Sequence, residues 1–218
     1  MRVLTIEELQ ELKEAMQRPK WKTLPKSHRD YLQDQFNTSL NLLKNSNDLY
    51  YPLFNDQSRF MVLMGGGGSG KSVFASHKIT HRMRTEKGHK WLICRKVGND
   101  LRDSVFTELK TAIETLGYEQ EFTIPKGRSS DLYLKHNSTG NECLFYGLDD
   151  VEKRKSISGI TDMWLEEGSE MTPEDFRQLN IRMRQKVDTY NQMIISFNPV
   201  NQTNWLKPEF FDKCGMRI

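Results

Sequence analysis

The chain has 218 residues, room for one α/β domain with a short extension. Its 32 basic and 29 acidic residues leave a formal charge of +3, too weak by itself to argue for a nucleic-acid surface, and no apolar run is long enough to span a bilayer. Three scattered cysteines (Cys94, Cys143, Cys214) lack metal-ligand spacing and suit free thiols in a reducing compartment, and Met1 to Lys20 lacks the apolar core of a signal peptide. A soluble intracellular protein is expected.

In chain order, residues 5–17 read as a helix, with Thr5 as N-cap and Glu8 three residues on in a capping-box arrangement. Ile6, Leu9, Leu12 and Met16 repeat at helical spacing, and Pro19 ends the run. A second helix is predicted from His28 to Lys44, then a polar and aromatic connector from Asn45 to Asp56. From there strand and helix alternate. Phe60 to Met64 is an apolar strand, Val73 to Arg84 a helix, and Trp91 to Cys94 a second strand. Asp100 to Leu116 suits a helix stopped by Gly117. Leu132 to His136 and Glu142 to Tyr146 flank a five-residue loop and read as a hairpin. Ile160 to Leu165 is a strand, Pro173 starts a helix running to about Lys186, and Gln192 to Phe197 is the last strand. The alternation implies a mostly parallel central sheet flanked by helices. The division expected is a helical arm over 1–58 and a core over 59–218.

Between the first core strand and its helix stands Gly65-Gly-Gly-Gly-Ser-Gly-Lys-Ser72, which matches G-x-x-x-x-G-K-[ST] at Gly65, Gly70, Lys71 and Ser72. Gly65, Gly66, Gly67, Gly68, Ser69 and Gly70 let backbone N–H groups curl around phosphate oxygens, and the helix start adds the positive end of its dipole. Lys71 would reach the β- and γ-phosphates of ATP, and Ser72 would place its hydroxyl on Mg²⁺. The expected fold class is therefore a P-loop NTPase of the kind with an additional catalytic glutamate, carrying an N-terminal helical arm.

Hydrolysis needs an acid near the metal and another to orient water. Glu166 and Glu167 follow a predicted strand, and ligands of such sheets bind at the carboxyl ends of strands. Glu166 is assigned to the Mg²⁺ shell and Glu167 to the attacking water, with the alternation of an extended chain separating the two roles. Asp162 competes for the metal role but sits at the strand's beginning, roughly 13 Å back. Asn198 lies just past the last strand, where its amide would sense a γ-phosphate.

These three motifs, with Asn204 and Trp205 shortly after, resemble the ATPase half of the large terminase subunit of tailed phages, over roughly Arg59 to Phe211. Arg95-Lys96 with Leu101 to Ser104, and Gly147 to Asp150 with Lys155-Ser156, are similar to the same family. The resemblance implies an ATP-driven motor that packages double-stranded DNA through the portal of a procapsid. It also implies a small terminase subunit as partner and a ring homo-oligomer, a pentamer, that acts in the host cytoplasm. Family members carry a C-terminal nuclease domain that cuts concatemeric DNA. A chain ending at Ile218 is expected to lack it and not to cut DNA. Members commonly place an arginine where this loop has Gly67, which leaves the transition-state arginine unassigned: Arg95 would act in the same subunit, Arg182 and Arg184 in a neighbour's site.

Lys153, Arg154 and Lys155, and Lys126 with Arg128, are candidates for DNA backbone contact. Tyr50, Tyr51 and Phe54 would stack on adenine or pack the connector. Competing readings are another DNA translocase or helicase, a nucleotide-gated assembly module without turnover, and a small-molecule kinase.

Overall fold

The computed structural model describes residues 1–98, 101–125, 132–148, 151, 157–199 and 204–212, the side chains of 102 and 103 excepted. The chain divides into two compact units, Met1–Asp56 and Gln57–Ile218. No helix among the described residues is long and apolar enough to cross a membrane.

The first unit is built on α1 (Ile6–Gln17) and α2 (Lys26–Asn45). Thr5 caps α1, its hydroxyl accepting from Glu8 N while the Glu8 carboxylate accepts from Thr5 N at 2.9 Å. Tyr51 donates its hydroxyl to Leu4 O at 2.6 Å, and Asn55 pairs with both the N–H and the carbonyl of Val3. Tyr50, Tyr51 and Phe54 are buried, and the Tyr51 and Phe54 rings meet edge to face. Of the two readings open for these rings, packing is the one observed: they serve the first unit.

The second unit is organised by β1 (Phe60–Met64), β2 (Lys90–Arg95), β3 (Phe122–Thr123), β4 (Tyr133–His136), β5 (Glu142–Gly147), β6 (Asp162–Glu166) and β7 (Met193–Phe197). Their order across the sheet is β1-β7-β6-β2-β5-β4-β3. The first five strands of that order run parallel, and β4 and β3 add an antiparallel margin. Met64 is level with Phe197, Glu166 with Ser196, and Cys94 with Leu165. The strands carrying the three motifs therefore end on one edge of the sheet, and the residues after each strand are delivered to the same place. The strand centres are sealed by Trp91, Ile93, Met163, Leu165, Met193 and Ile195, which read as apolar runs because parallel strands are covered on both faces.

Around the sheet stand α3 (Lys71–Thr85), α4 (Thr107–Thr115) and α5 (Pro173–Arg182). Two expected helices differ in detail. The single helix over 100–116 is instead a π-helical turn, Arg102–Phe106, joined to α4, and it closes with Gly117 at φ 75°. The helix expected to reach Lys186 stops at Arg182, because the Arg59 guanidinium binds Asn180 Oδ1 at 2.8 Å and takes the Met183 carbonyl at 3.1 Å. That capture also locates the end of α5, since Arg59 directly precedes β1. The C-terminus of α5 lies at the edge where strands begin.

Candidate nucleotide-binding site

The loop between β1 and α3 turns through Gly68 and Gly70, whose φ angles of 75° and 85° lie in the left-handed region. Gly70 is the N-cap of α3 and offers no side chain to cap it, so the first N–H groups of the helix have no partner within the helix. Lys71 is folded back onto the loop. Its ammonium donates to Gly65 O at 2.7 Å, Gly66 O at 2.9 Å, Ser69 Oγ at 3.1 Å and Asn198 Oδ1 at 3.1 Å. A strongly hydrated cation that is nearly buried needs such acceptors until an anion replaces them.

Glu166 ends β6 and stays level with Ser196 of β7. Glu167 follows in a left-handed conformation, φ 52° and ψ 47°, and is the sole described residue other than glycine with positive φ. That costs roughly 1–2 kcal/mol for an L residue. The expected alternation along an extended chain is therefore corrected: the two acids part because the backbone reverses hand between them. The reversal is held by Gly168, where a Cβ would sit 2.6 Å from Ile195 Cγ2. Beyond it, Asn204 donates to Ser169 O at 3.0 Å. Across the edge, Asn198 Nδ2 donates to Glu167 Oε1 at a long 3.5 Å while its carbonyl oxygen takes the Lys71 ammonium. One amide thus joins the loop lysine to the second acid. Trp164 Nε1 donates to Ser196 Oγ at 2.9 Å and fixes the strand register behind both acids.

These groups surround one cavity of about 270 Å³, lined by the loop from Gly67 to Val73, by Glu108, Glu166 and Glu167, and by Ser196 to Asn198. Burial pushes the Glu166 carboxyl up to about 7; Arg95 opposes that shift, and Glu167 and Glu170 add to it. Arg95 Nε lies 2.9 Å from Glu166 Oε2, a charge contact whose N–H does not point along a hydrogen bond, and Oε2 is buried with no hydrogen-bond partner. Among the described residues no three His, Cys, Asp or Glu side chains gather to hold a metal by themselves. This fits Mg²⁺, which takes one or two protein oxygens and completes its shell with phosphates and water. Ser72 and the unsatisfied Glu166 oxygen are the groups that would hold it.

A family model described as phage terminase large subunit matches residues 57–217. The chain belongs to the phage terminase large subunit family. It is 35% identical over 159 residues, 73% of its length, to the PBSX phage terminase large subunit of Bacillus subtilis (strain 168), of which the match covers 35%. It is 36% identical over 118 residues, 52% of its length, to the large terminase subunit of Bacillus phage SPP1, of which the match covers 27%. The matches thus span about a third of those relatives. The large terminase of a thermophilic bacteriophage shares the fold, with a TM-score of 0.60 at 20% identity, over 74% of this chain and 39% of that one. The HK97 bacteriophage large terminase gives a TM-score of 0.57 at 12% identity, over 88% of this chain and 37% of that one.

In this terminase chain none of the arginines expected to act on phosphate lines the cavity. Arg95 is engaged with Glu166, and the next residue, Lys96, pairs with Asp175 at 2.8 Å in the first turn of α5. Arg182 and Arg184 sit at the end of α5, beside Gln185, whose carbonyl is held by Asn191 ahead of β7. They are at the edge where strands start, opposite their own phosphate loop. Gly67 has open space at the first side-chain atom: a Cβ there meets nothing within 4 Å. Asp162 is at the far end of β6, fully buried in ion pairs with Arg82 and His89. Lys126, Arg128, Lys153, Arg154 and Lys155 lie outside the described residues, as do Cys214, Asp149, Asp150 and Ser156. Sequence reasoning missed Glu108, half-buried on the first turn of α4, whose carboxyl burial pushes up. A glutamate in a helix carries no signal of its own.

Proposed function

We propose that this chain is the ATP-hydrolysing motor domain of a phage large terminase, with a helical arm over 1–58 and an ATPase core over 59–218. The observation that carries the reading is the chain of contacts Lys71–Asn198–Glu167, which ties the phosphate loop to a carboxylate on a neighbouring strand. The loop amides and the start of α3, worth about half an elementary charge, bind the β- and γ-phosphates. Lys71 leaves the carbonyls of Gly65 and Gly66 for the triphosphate and releases the Asn198 amide. Asn198 then reports the γ-phosphate to the segment leading to Trp205. Glu167 accepts a hydrogen bond from the water in line with the γ-phosphorus and takes its proton. Ser72 and Glu166 would hold Mg²⁺, which when bound would neutralise charge developing on the phosphates. The thermophilic phage's large terminase, of the same fold, is known in complex with ATP-γ-S and with ADP, which supports this ligand class.

Membership of the family supports the larger role: translocation of double-stranded DNA into a procapsid in the host cytoplasm. The partners are the portal protein, a small terminase subunit and further copies of the chain in a ring. No arginine lines the cavity among the described residues, so the reading assigns the transition-state arginine to Arg182 or Arg184 of a neighbouring copy, or to Arg95 once it leaves Glu166. Phosphate release by the purified chain tests this. If Arg182 or Arg184 of a neighbour serves, a verified monomer should turn over ATP well below roughly 1 s⁻¹, and a faster monomer refutes that pair and leaves Arg95. Lys71→Ala should abolish ATP binding. A wild type that binds ATP but releases no phosphate even when assembled on DNA would leave a nucleotide-gated module in place of a motor.

A further inference from the structure

We infer that Glu108 is a third acid of the nucleotide site, which accepts hydrogen bonds from water on the magnesium ion beside the triphosphate and so positions the metal. The inference rests on the ATPase reading. Glu108 stands one residue inside α4, and α4 starts on the same edge of the sheet as the phosphate loop and packs along α3. It lines the same cavity as Ser72 and Glu166, the groups that would hold the metal. Among the described residues it has neither a hydrogen bond nor an ion pair, although it is half-buried.

The entry to α4 is built to present this residue. The five-residue π-helical turn before it adds a residue to the helical register, a device that recurs at functional sites. Val105 and Phe106 of that turn are buried, and the Phe106 ring meets Phe145 of β5 edge to face at 5.1 Å. Upstream, a Cβ on Gly147 would lie 2.6 Å from Gly98, so the chain leaving β2 is held flush against the end of β5. Glu108 therefore projects from a braced element rather than a free loop.

Charge decides what it contacts. Three carboxylates line the cavity against one lysine, with Arg95 behind Glu166. Such a site repels a bare triphosphate unless a divalent cation enters with it. A carboxylate in this lining is stabilised by a donor between itself and the phosphates, and water on the metal is that donor. Acceptors of this kind commonly set metal affinity by about 10- to 100-fold when removed.

Calorimetry with ATP-γ-S, in excess Mg²⁺ and in chelator, on wild type and Glu108→Gln tests this. Glu108→Gln should bind metal-free ATP-γ-S more tightly than wild type, because a negative charge is gone. It should lose about 10-fold or more of the gain that Mg²⁺ confers, with a melting temperature no lower than that of wild type. Proton relaxation of water on Mn²⁺ bound with ATP-γ-S should change in the same variant. Equal losses with and without Mg²⁺, or an unchanged Mg²⁺ gain, overturn the inference and leave the ATPase reading intact. Weaker ATP-γ-S binding with unchanged binding of inorganic tripolyphosphate would make Glu108 a ribose ligand, which also overturns it. A wild type that binds no nucleotide under either condition removes the ATPase reading and this inference together.

Discussion

Asp162 and Glu166 begin and end the same five-residue strand, and they meet opposite surroundings. At the starting edge, Asp162 Oδ1 takes the Arg82 guanidinium at 2.8 Å and the Gln192 N–H at 2.9 Å, and Oδ2 faces His89 Nδ1 at 2.6 Å. Arg82 is fully buried; it also binds Glu86 and the Tyr190 carbonyl and lies over the Tyr190 ring at 3.9 Å. Burial works against charge on His89, but Asp162 and Glu86 outweigh it and raise its pKa. Burial likewise opposes charge on Glu86, yet His89 and Arg82 hold it down to about 2. Within this cluster Arg82, His89, Glu86 and Asp162 each face an opposite charge. At the finishing edge, Glu166 keeps an oxygen without a donor and a carboxyl pushed up to about 7 by burial. Glu167 sits in a left-handed backbone, and Lys71 makes do with loop carbonyls. One edge is closed by its own groups, and the other has groups that only a ligand completes. A strand that carries charge at both ends can lock the fold with one and hold the other for chemistry.

Removing one carboxylate at a time separates the two edges. Glu167→Gln should lower ATP turnover by about 10²- to 10⁴-fold in phosphate-release assays, because the base is lost, with little change in chemical denaturation. Asp162→Ala should do the reverse. It leaves Glu86 alone to answer both Arg82 and His89 and should cost about 3–5 kcal/mol of stability in urea titrations. If Asp162→Ala proved harmless to folding, the starting edge would not be the lock described. Gly168→Ala is a smaller disturbance, since a methyl group must be taken up against Ile195 at a cost of about 1–3 kcal/mol. Its effect on turnover should exceed its effect on stability, because the displaced turn carries Glu167.

Smaller still is the pH response of Glu166. A proton on this carboxyl competes with Mg²⁺, so Mg²⁺-dependent ATP-γ-S affinity should rise about tenfold from pH 6 to pH 8 and flatten in Glu166→Gln. In the unliganded domain the sign is opposite. A carboxyl whose folded pKa exceeds its unfolded value holds its proton more tightly when folded, so stability falls as pH climbs from 4.5 through about 7. Glu166→Gln should then be the more stable protein at pH 8 in thermal melts.

The strands other than the two-residue β3, the loop and the order of the motifs were legible in the sequence because they rest on local signals. Apolar runs between turn residues mark buried parallel strands, and a glycine octet after one of them needs no distant partner to be read. What escaped depends on residues far apart in the chain. The end of α5 at Arg182 is set by Arg59, more than 120 residues earlier, and no periodicity encodes that contact. The ion-pair lock joins Arg82 and His89 to Asp162 across about 70–80 residues, so Asp162 read only as a rival metal ligand at the wrong end of its strand. The left-handed turn at Glu167 carries no glycine to announce it, because the strain falls on the acid and the glycine comes one residue later. Glu108 became visible only when α4 was laid beside α3.

The decisive measurement is a crystal structure of the chain with Mg²⁺ and ATP-γ-S. Lys71 Nζ should then be off the Gly65 and Gly66 carbonyls and on the triphosphate, with Ser72 and Glu166 at the metal. Glu167 should stand beside the γ-phosphate, and Asn198 should be released from Lys71. A triphosphate bound with Glu166 and Glu167 both turned away from it would contradict this assignment of the site.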